Sequence, residues 1–129
     1  MQQVFVSWSG GKDSCFACYQ AIKGGLKVRY LLNMMDEDGQ RSRSHGLPTG
    51  VLQLQAQALK ISLVQRRASW NDYEAEFKNA LLTFKEEGIE GGVFGDIDIE
   101  EHRQWVDRIC KEVDIPLICH YGGCLKRRY

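Results

Sequence analysis

The sequence predicts an α/β fold of three layers, in which helices cover both faces of a five-stranded, mainly parallel sheet. Short apolar segments alternate with longer segments of helical periodicity along the chain. Glycine or proline stands between many of these segments, where the backbone has to turn. A helix between consecutive strands is the connection that parallel pairing requires, so the alternation predicts a parallel sheet.

The first strand and the first helix are predicted over residues 2–8 and 13–23. Within this helix four side chains recur at i, i+3, i+4 and i+7, and we expect them to face the core: Cys15, Cys18, Tyr19 and Ile22. Two glycines at 24–25 end the helix. Residues 28–35 are almost continuously apolar, which is typical of a strand buried on both faces.

The middle of the chain begins with a polar, charged segment, 36–46, which predicts a long loop. Pro48 suits the first turn of a helix that reaches about Lys60. Residues 61–65 predict a short third strand. The next helix, 69–87, has a clear apolar stripe formed by Tyr73, Phe77, Ala80, Leu81 and Phe84.

The last part of the chain predicts a fourth strand over 92–95 and a fifth over 115–119. Between them, Asp98 and Glu101 resemble a capping box that opens a helix ending at Val113. The apolar side of this helix is formed by Ile99, His102, Val106, Ile109 and Val113. The final ten residues show no periodicity, so we expect one domain over 1–117 followed by an irregular tail over 118–129.

Composition excludes several classes of protein. The 17 basic and 17 acidic side chains cancel, so no overall field favours nucleic acid or a membrane surface. No apolar run approaches the ~20 residues that span a bilayer, and the first strand leaves no room for a signal peptide. We therefore expect a cytoplasmic protein whose five cysteines are reduced.

The most informative motif is Ser-Gly-Gly-Lys-Asp-Ser at 9–14, between the first strand and the first helix. Two glycines allow a sharp turn and the approach of a ligand to the backbone. The unpaired N–H groups and positive dipole end of the helix favour an anion there. Lys12 adds a positive charge, and two serine hydroxyls add donors. The motif therefore predicts a phosphate-binding loop, although a plain flexible turn would also use two glycines.

Two common nucleotide loops do not fit this sequence. The Walker pattern requires a glycine five residues before the Gly-Lys pair, where this chain has Val6. The dinucleotide pattern requires a third glycine that is absent.

In a parallel sheet, ligands bind beyond the carboxyl ends of the strands. The loop 9–14, the pair 35–36 and the pair 95–96 all follow strands, so we expect them to meet at one edge.

The hexapeptide resembles the PP-loop of the ATP pyrophosphatases, which split ATP between its α- and β-phosphates. The segments 41–48, 93–97 and 101–103 look like the branch of that superfamily that includes diphthine–ammonia ligase. The resemblance covers residues 1 to about 117 and implies an adenine nucleotide alpha hydrolase-like, Rossmann-like fold. It also implies a further C-terminal portion, contributing to the acceptor site, that this sequence lacks.

The resemblance implies ATP-driven amide formation: a carboxyl or carbonyl oxygen is adenylated, and ammonia then displaces AMP. A protein-borne acceptor is among the candidates. The implied cofactors are ATP and Mg²⁺. The implied catalytic residues are Lys12, Asp13 and His45. The implied nucleotide-binding residues are Ser9, Gly10, Gly11, Lys12, Asp13, Ser14, Gly95 and Asp96. Mg²⁺ prefers oxygen ligands, and the implied ones are Asp13 and Asp96.

Several of these roles have simpler alternatives. Asp13 could cap a helix, and Asp96 could belong to an ordinary turn. His45 lies in the long loop with Arg41 and Arg43, which is either a flap that brings cations to the substrate or a solvated loop. His102 lies on an apolar helix face, where a buried histidine is the simpler interpretation than a catalytic base.

The cysteines offer a different function. Cys15 and Cys18, or Cys119 and Cys124, could bind zinc or an iron–sulfur cluster, as in some tRNA-thiolating PP-loop enzymes. Core packing is the preferred interpretation for the first pair, and the second pair is undecided. The competing hypotheses are therefore a tRNA-modifying PP-loop enzyme and a non-catalytic ATP-binding module. A homo-oligomer is possible under each of them.

Overall fold

The computed structural model describes residues 2–36, 48–69, 71–94 and 100–118, and for residues 12, 13 and 100–103 it describes the backbone alone. Within these ranges strands and helices alternate, and each element corresponds to one that the sequence predicts. The strands are β1 (Gln3–Ser7), β2 (Lys27–Met35), β3 (Ser62–Arg67), β4 (Gly91–Val93) and β5 (Leu117–Ile118). The helices are α1 (Lys12–Lys23), α2 (Thr49–Leu59), α3 (Tyr73–Glu86) and α4 (Glu100–Val113).

The strands form one sheet in the order β3-β2-β1-β4-β5, and every neighbouring pair is parallel. β1 is central: it pairs with β2 on one side and with β4 on the other. The chain adds strands outward from β1 in one direction and then returns to add β4 and β5 in the other. The strand order thus reverses between β1 and β4, which is where parallel α/β sheets bind ligands.

Helices cover both faces of the sheet, because successive side chains of a strand point to opposite faces. On one face Val4 and Val6 pack in a core with residues of α1 and α2, namely Ala17, Cys18, Ala21, Leu52 and Ala56. On the other face Phe5 packs with residues of α3 and α4, among them Phe77, Leu81, Phe84, Val106 and Ile109. The predicted three-layer α/β architecture is confirmed.

Some boundaries differ from those predicted, for local reasons. Pro48 lies at the N-cap of α2 with extended backbone angles, one position before the helix. β3 continues to Arg67 because it pairs with the full carboxyl half of β2, up to Met35. α3 begins at Tyr73, since the Asp72 carboxylate accepts hydrogen bonds from the Ser69 amide at 2.6 Å and hydroxyl at 2.9 Å, forming a turn first.

The predicted inner stripe of α1 is partly wrong. Cys18 is buried, but Cys15 is exposed, and Tyr19 and Ile22 are 57% and 50% exposed. The sheet instead receives small side chains, those of Ser14, Ala17, Cys18 and Ala21. The predicted helix is confirmed, but its buried face is rotated from the predicted one. Small residues on the observed face let α1 pack closely on the central strands.

The stripes of the other two long helices are largely confirmed. In α3, Phe77, Ala80, Leu81 and Phe84 are buried, and in α4 Val106, Ile109 and Val113 are buried. The predicted members Ile99 and His102 lie outside the residues or side chains that are described. No helix within the described ranges is both long enough and apolar enough to cross a membrane.

Candidate functional site

The segment Ser9–Gly11 leaves the carboxyl end of the central strand β1 and leads directly into α1. Because β2 and β4 flank β1, this turn lies at the point where the strand order reverses. The position is the one that the sequence predicts for a ligand-binding loop. The topology therefore places the glycine motif at the ligand-binding edge of the sheet.

The backbone of the loop has the features of an anion-binding turn. Gly10 has φ of 87°, a left-handed conformation that a side chain would strain. Gly11 is the extended N-cap of α1, and no side chain among the described residues caps this helix. The first intrahelical hydrogen bond runs from the Cys15 amide to the Gly11 carbonyl, over 3.1 Å. The earlier amides of the first turn point out of the helix, toward the loop.

Ser9 and Ser14 are held together at the base of the loop. Their hydroxyl oxygens are 2.8 Å apart, and both residues are buried, with 7% and 1% exposure. Each hydroxyl also accepts a backbone N–H: Ser14 Oγ from Ser9 at 3.0 Å, and Ser9 Oγ from Gly11 at 3.4 Å. A bond between two hydroxyls uses one of their two protons. The pair therefore keeps one proton that it can donate to an anion.

A chain of hydrogen bonds supports the loop from below. The Trp8 indole N–H donates to Gln55 Oε1 at 2.9 Å, and Gln55 Nε2 donates to the Gly10 carbonyl at 3.3 Å. The Trp8 carbonyl accepts from Asn33 Nδ2 at 2.9 Å, and Asn33 Oδ1 accepts from Gln65 Nε2 at 3.4 Å. Trp8 and Asn33 are almost fully buried. The network links β3, β2, β1 and α2 to the glycine turn.

Two buried polar atoms at the same edge of the sheet have no hydrogen-bond partner among the described residues. Asp36 follows β2, and its Oδ1 is buried with no hydrogen-bond partner among the described residues. The Nε atom of Arg66, near the end of β3, is in the same condition. Buried polar atoms are seldom left unpaired in proteins. Within the described part of the chain, these two atoms are therefore candidates to bind a ligand group beside the loop.

Several predicted site residues lie outside what the structure describes. His45, Gly95 and Asp96 belong to undescribed segments, as do Cys119 and Cys124. For Lys12 and Asp13 only the backbone is described; they are the first two residues of α1. Among the described side chains, no three histidine, cysteine, aspartate or glutamate residues are grouped so that they could hold a metal ion. The structure thus brings together Ser9, Gly10, Gly11 and Ser14, and the remaining roles stay predictions.

The three described cysteines are free thiols in different environments. Cys15 is exposed, whereas Cys18 and Cys110 are buried in the two cores. Burial, together with the nearby Cys15, raises the pKa of Cys18 to about 11, and burial raises the pKa of Cys110 to about 12. Such thiols are inert. Core packing is confirmed for Cys18 and is wrong for Cys15, which is exposed. No third potential ligand among the described residues joins the two to form a metal site.

Two surface grooves lie away from this site. One, of about 380 Å³, is formed by the end of α2 and the start of β3, around Lys60 and Ile61. The other, of about 400 Å³, lies between the end of α4 and β5, around Lys111 and Pro116. Both are at the amino ends of their strands. Neither contains a predicted site residue.

The glycine loop at the reversal point of a parallel five-stranded sheet defines a Rossmann-like PP-loop domain. Within that class, the chain belongs to the family described as diphthamide synthase N-terminal domain, whose family model matches residues 2–117. This match confirms the resemblance to the diphthine–ammonia ligase branch of the PP-loop superfamily. No curated protein sequence matches the chain.

A solved structure supports the fold independently. It is described as a predicted subunit of tRNA methyltransferase from Methanocaldococcus jannaschii, and it superimposes with a TM-score of 0.55. The identity is 17%, and the alignment covers 95% of this chain and 69% of the other. At this identity the similarity is one of fold alone.

The supporting residues Gln55 and Gln65 were missed by sequence reasoning, and so was Asn33. Asn33 did carry a signal, because it is the one polar side chain in the apolar run Leu31–Met35 of a strand buried on both faces. A polar group in that position needs a partner within the fold. Gln55 carried no such signal, since a glutamine in an amphipathic helix usually faces water.

Proposed function

We propose that this chain binds Mg-ATP at the loop 9–14 and cleaves it to AMP and pyrophosphate. In this reaction an acceptor carboxyl or carbonyl oxygen attacks the α-phosphate and pyrophosphate leaves. Ammonia then displaces AMP, and with a carboxyl acceptor the product is an amide. The observation that carries the proposal is the glycine turn at the reversal point, which leads into a helix without a side-chain cap. The membership in a diphthamide synthase family supports the amidation.

Two features of the loop support the binding of a triphosphate. The first-turn amides of α1 and the spare hydroxyl proton of the serine pair are donors that converge on the turn. Gly10 leaves the turn free of a side chain, and its φ suits no other residue well. Fixed donors and a helix N-terminus stabilise negative charge that develops on a leaving pyrophosphate.

The remaining roles in this proposal come from the family resemblance. Lys12 would place its ammonium group against the β- and γ-phosphates. Asp13 and Asp96 would hold Mg²⁺, which adds positive charge to the triphosphate. Gly95 would approach the nucleotide, and His45 would approach the reacting groups. The proposal includes a cytoplasmic location, and it admits a protein-borne acceptor and a homo-oligomeric assembly.

Release of pyrophosphate from ATP tests this function directly. The assay contains Mg²⁺, with and without ammonium and a panel of carboxyl and carbonyl acceptors, and nucleotide products are separated. We expect AMP with pyrophosphate, in amounts that depend on an acceptor. ADP as the product would contradict the proposal, since it indicates cleavage at a different phosphate.

A loop variant and a matched control locate the activity. For Lys12→Ala we expect ATP affinity to fall by roughly 10- to 100-fold, the loss of one charge-assisted hydrogen bond. Lys23→Ala changes the same residue type at the far end of α1 and should leave ATP affinity unchanged. Equal ATP affinity of Lys12→Ala and the parent protein in calorimetry would contradict the role assigned to Lys12.

The two competing functions predict different results in the same experiments. A non-catalytic ATP-binding module would bind ATP and release no pyrophosphate with any acceptor. A tRNA-modifying enzyme is of interest because the structural neighbour is described as a tRNA methyltransferase subunit. If it used a cysteine-bound metal, the purified protein would carry zinc or iron. The burial of Cys18, and the lack of a third potential ligand among the described residues, do not favour that version.

A further inference from the structure

We propose that Gln55 is a positioning residue for the phosphate loop, holding the peptide bond between Gly10 and Gly11 in its anion-binding orientation. The inference rests on the proposed function, because it concerns the same loop. Gln55 belongs to α2, far from the motif in sequence, yet its Nε2 donates to the Gly10 carbonyl at 3.3 Å. It is the only side chain of another element with a hydrogen bond to Gly10 or Gly11 among the described residues.

The orientation of this peptide decides whether the loop attracts or repels an anion. In a trans peptide the C=O and the N–H point in opposite directions. With the Gly10 carbonyl directed to Gln55, the Gly11 N–H is directed to Ser9 Oγ, inside the loop. A reversed peptide would instead direct the carbonyl oxygen into the loop, against the negative charge of a phosphate.

Nothing in the covalent structure of the loop prevents that reversal. Gly10 and Gly11 both lack a Cβ, so the peptide between them can rotate at little steric cost. Within the described ranges, the Gly11 amide itself is held only by a 3.4 Å contact with Ser9 Oγ. The Gln55 amide is therefore the firmest restraint on the direction of this carbonyl that the described contacts provide.

The orientation of the Gln55 side chain is itself determined by its partners. The Trp8 indole N–H is a donor only, and the Gly10 carbonyl is an acceptor only. Gln55 must therefore direct Oε1 to Trp8 and Nε2 to Gly10, as observed. Trp8 is 3% exposed, and Asn33 and the Leu32 carbonyl bind its backbone. The restraint on the loop thus originates in the buried central strands.

A role in joining α2 to β1 is the structural alternative, and two variants separate it from positioning. Gln55→Glu keeps an oxygen acceptor for the Trp8 indole but replaces the donor to Gly10 with a carboxylate oxygen. Gln55→Met removes both hydrogen bonds at similar volume. The control is Gln53→Met, which changes an exposed glutamine of the same helix that does not contact the loop.

The first measurement is made without any ligand. The residual dipolar coupling of the Gly11 N–H in the folded protein reports the direction of that bond. We expect this coupling to change in Gln55→Glu and Gln55→Met and to match the parent protein in Gln53→Met. A coupling that is the same in Gln55→Glu and the parent overturns the inference, whatever the nucleotide data show.

The second measurement is pyrophosphate affinity by calorimetry in the presence of Mg²⁺, with the unfolding midpoint measured alongside. We expect at least about a 10-fold weaker Kd for Gln55→Glu, which corresponds to about 1.4 kcal/mol, and an unchanged Kd for Gln53→Met. A changed Gly11 coupling with an unchanged Kd overturns the positioning role. If the parent protein binds neither pyrophosphate nor Mg-ATP, the proposed function fails. A changed coupling in Gln55→Glu then still supports the hold on the peptide.

Discussion

At the scale of single residues, glycine does two different things in this chain. Gly10 provides a left-handed turn that lets backbone amides approach a ligand. Gly92 allows a close approach within the core, since a Cβ there would lie 2.7 Å from the Phe5 ring and 3.2 Å from Phe94. The first role follows from the motif. The second role depends on which aromatic rings pack over β4. Those rings belong to residues outside β4, so the sequence of the strand does not predict the contact.

Alanine substitutions at two glycines should therefore change stability in opposite directions. Gly92→Ala should destabilise the protein by roughly 1–3 kcal/mol, because the buried rings of Phe5 and Phe94 have to shift. Gly50→Ala, in α2 with open space around it, should stabilise by about 0.5–1 kcal/mol through helix propensity. Urea unfolding measures both free energies, and a destabilised Gly50→Ala or an unaffected Gly92→Ala would contradict this account.

At the scale of elements, α1 shows the limit of periodicity as a predictor. Its helical character and both ends follow from sequence, since glycines bound it on each side. The side that faces the sheet does not follow, because small and large apolar residues form competing stripes. The close contact of α1 with the central strands selects Ala17 and Ala21 and leaves Tyr19 and Ile22 at the surface.

The thiols of the folded protein should react according to this orientation. At pH 8 we expect an alkylating reagent to modify Cys15 at least about ten times faster than Cys18 or Cys110, because burial raises the pKa of the latter two to about 11 and about 12. Peptide mapping by mass spectrometry follows each cysteine separately. In urea the three rates should converge. Equal rates in the folded protein would mean that α1 is oriented as its sequence alone predicted.

At the scale of the whole molecule, the two helical layers have different outer surfaces. The large apolar side chains exposed on α1 and α2 are Phe16, Tyr19, Ile22, Val51, Leu54 and Leu59. Between α3 and α4 the surface instead has a four-membered ion-pair network of Glu74, Lys78, Arg108 and Glu112. The network joins two helices that lie side by side on one face of the sheet. It is the clearest source of pH dependence among the described groups.

Acid should weaken this network through its carboxylates. Hydrogen bonds from Arg108 and then from Lys78 lower the pKa of Glu74 from 4.5 to about 2, and Lys78 and then Arg108 lower the pKa of Glu112. A carboxyl whose pKa is lower in the folded state stabilises the protein above its unfolded pKa. This contribution is lost as the pH falls toward the folded value. The stability from Glu74 should therefore be complete above about pH 5 and fade between pH 4.5 and about 2.

The test compares the parent protein with Glu74→Gln across this range. The difference in unfolding temperature should be largest near neutral pH and shrink toward pH 2. Glu76→Gln is the control, since Glu76 is in the same helix and forms no ion pair with the residues that the structure describes. A Glu74→Gln difference that is independent of pH would show that the network does not act through ionisation.

The sequence by itself determined the alternation of strands and helices, the parallel sheet, the position of the glycine loop and the resemblance to the PP-loop family. These features follow from patterns within a few neighbouring residues, where backbone preference and periodicity act. Only the tertiary structure decided the strand order, the buried face of α1 and the closeness of Gly92 to Phe5. It also decided that Gln55 lies between Trp8 and Gly10. Such contacts join residues far apart in the chain, and close packing of whole elements, not local preference, determines which side chains meet.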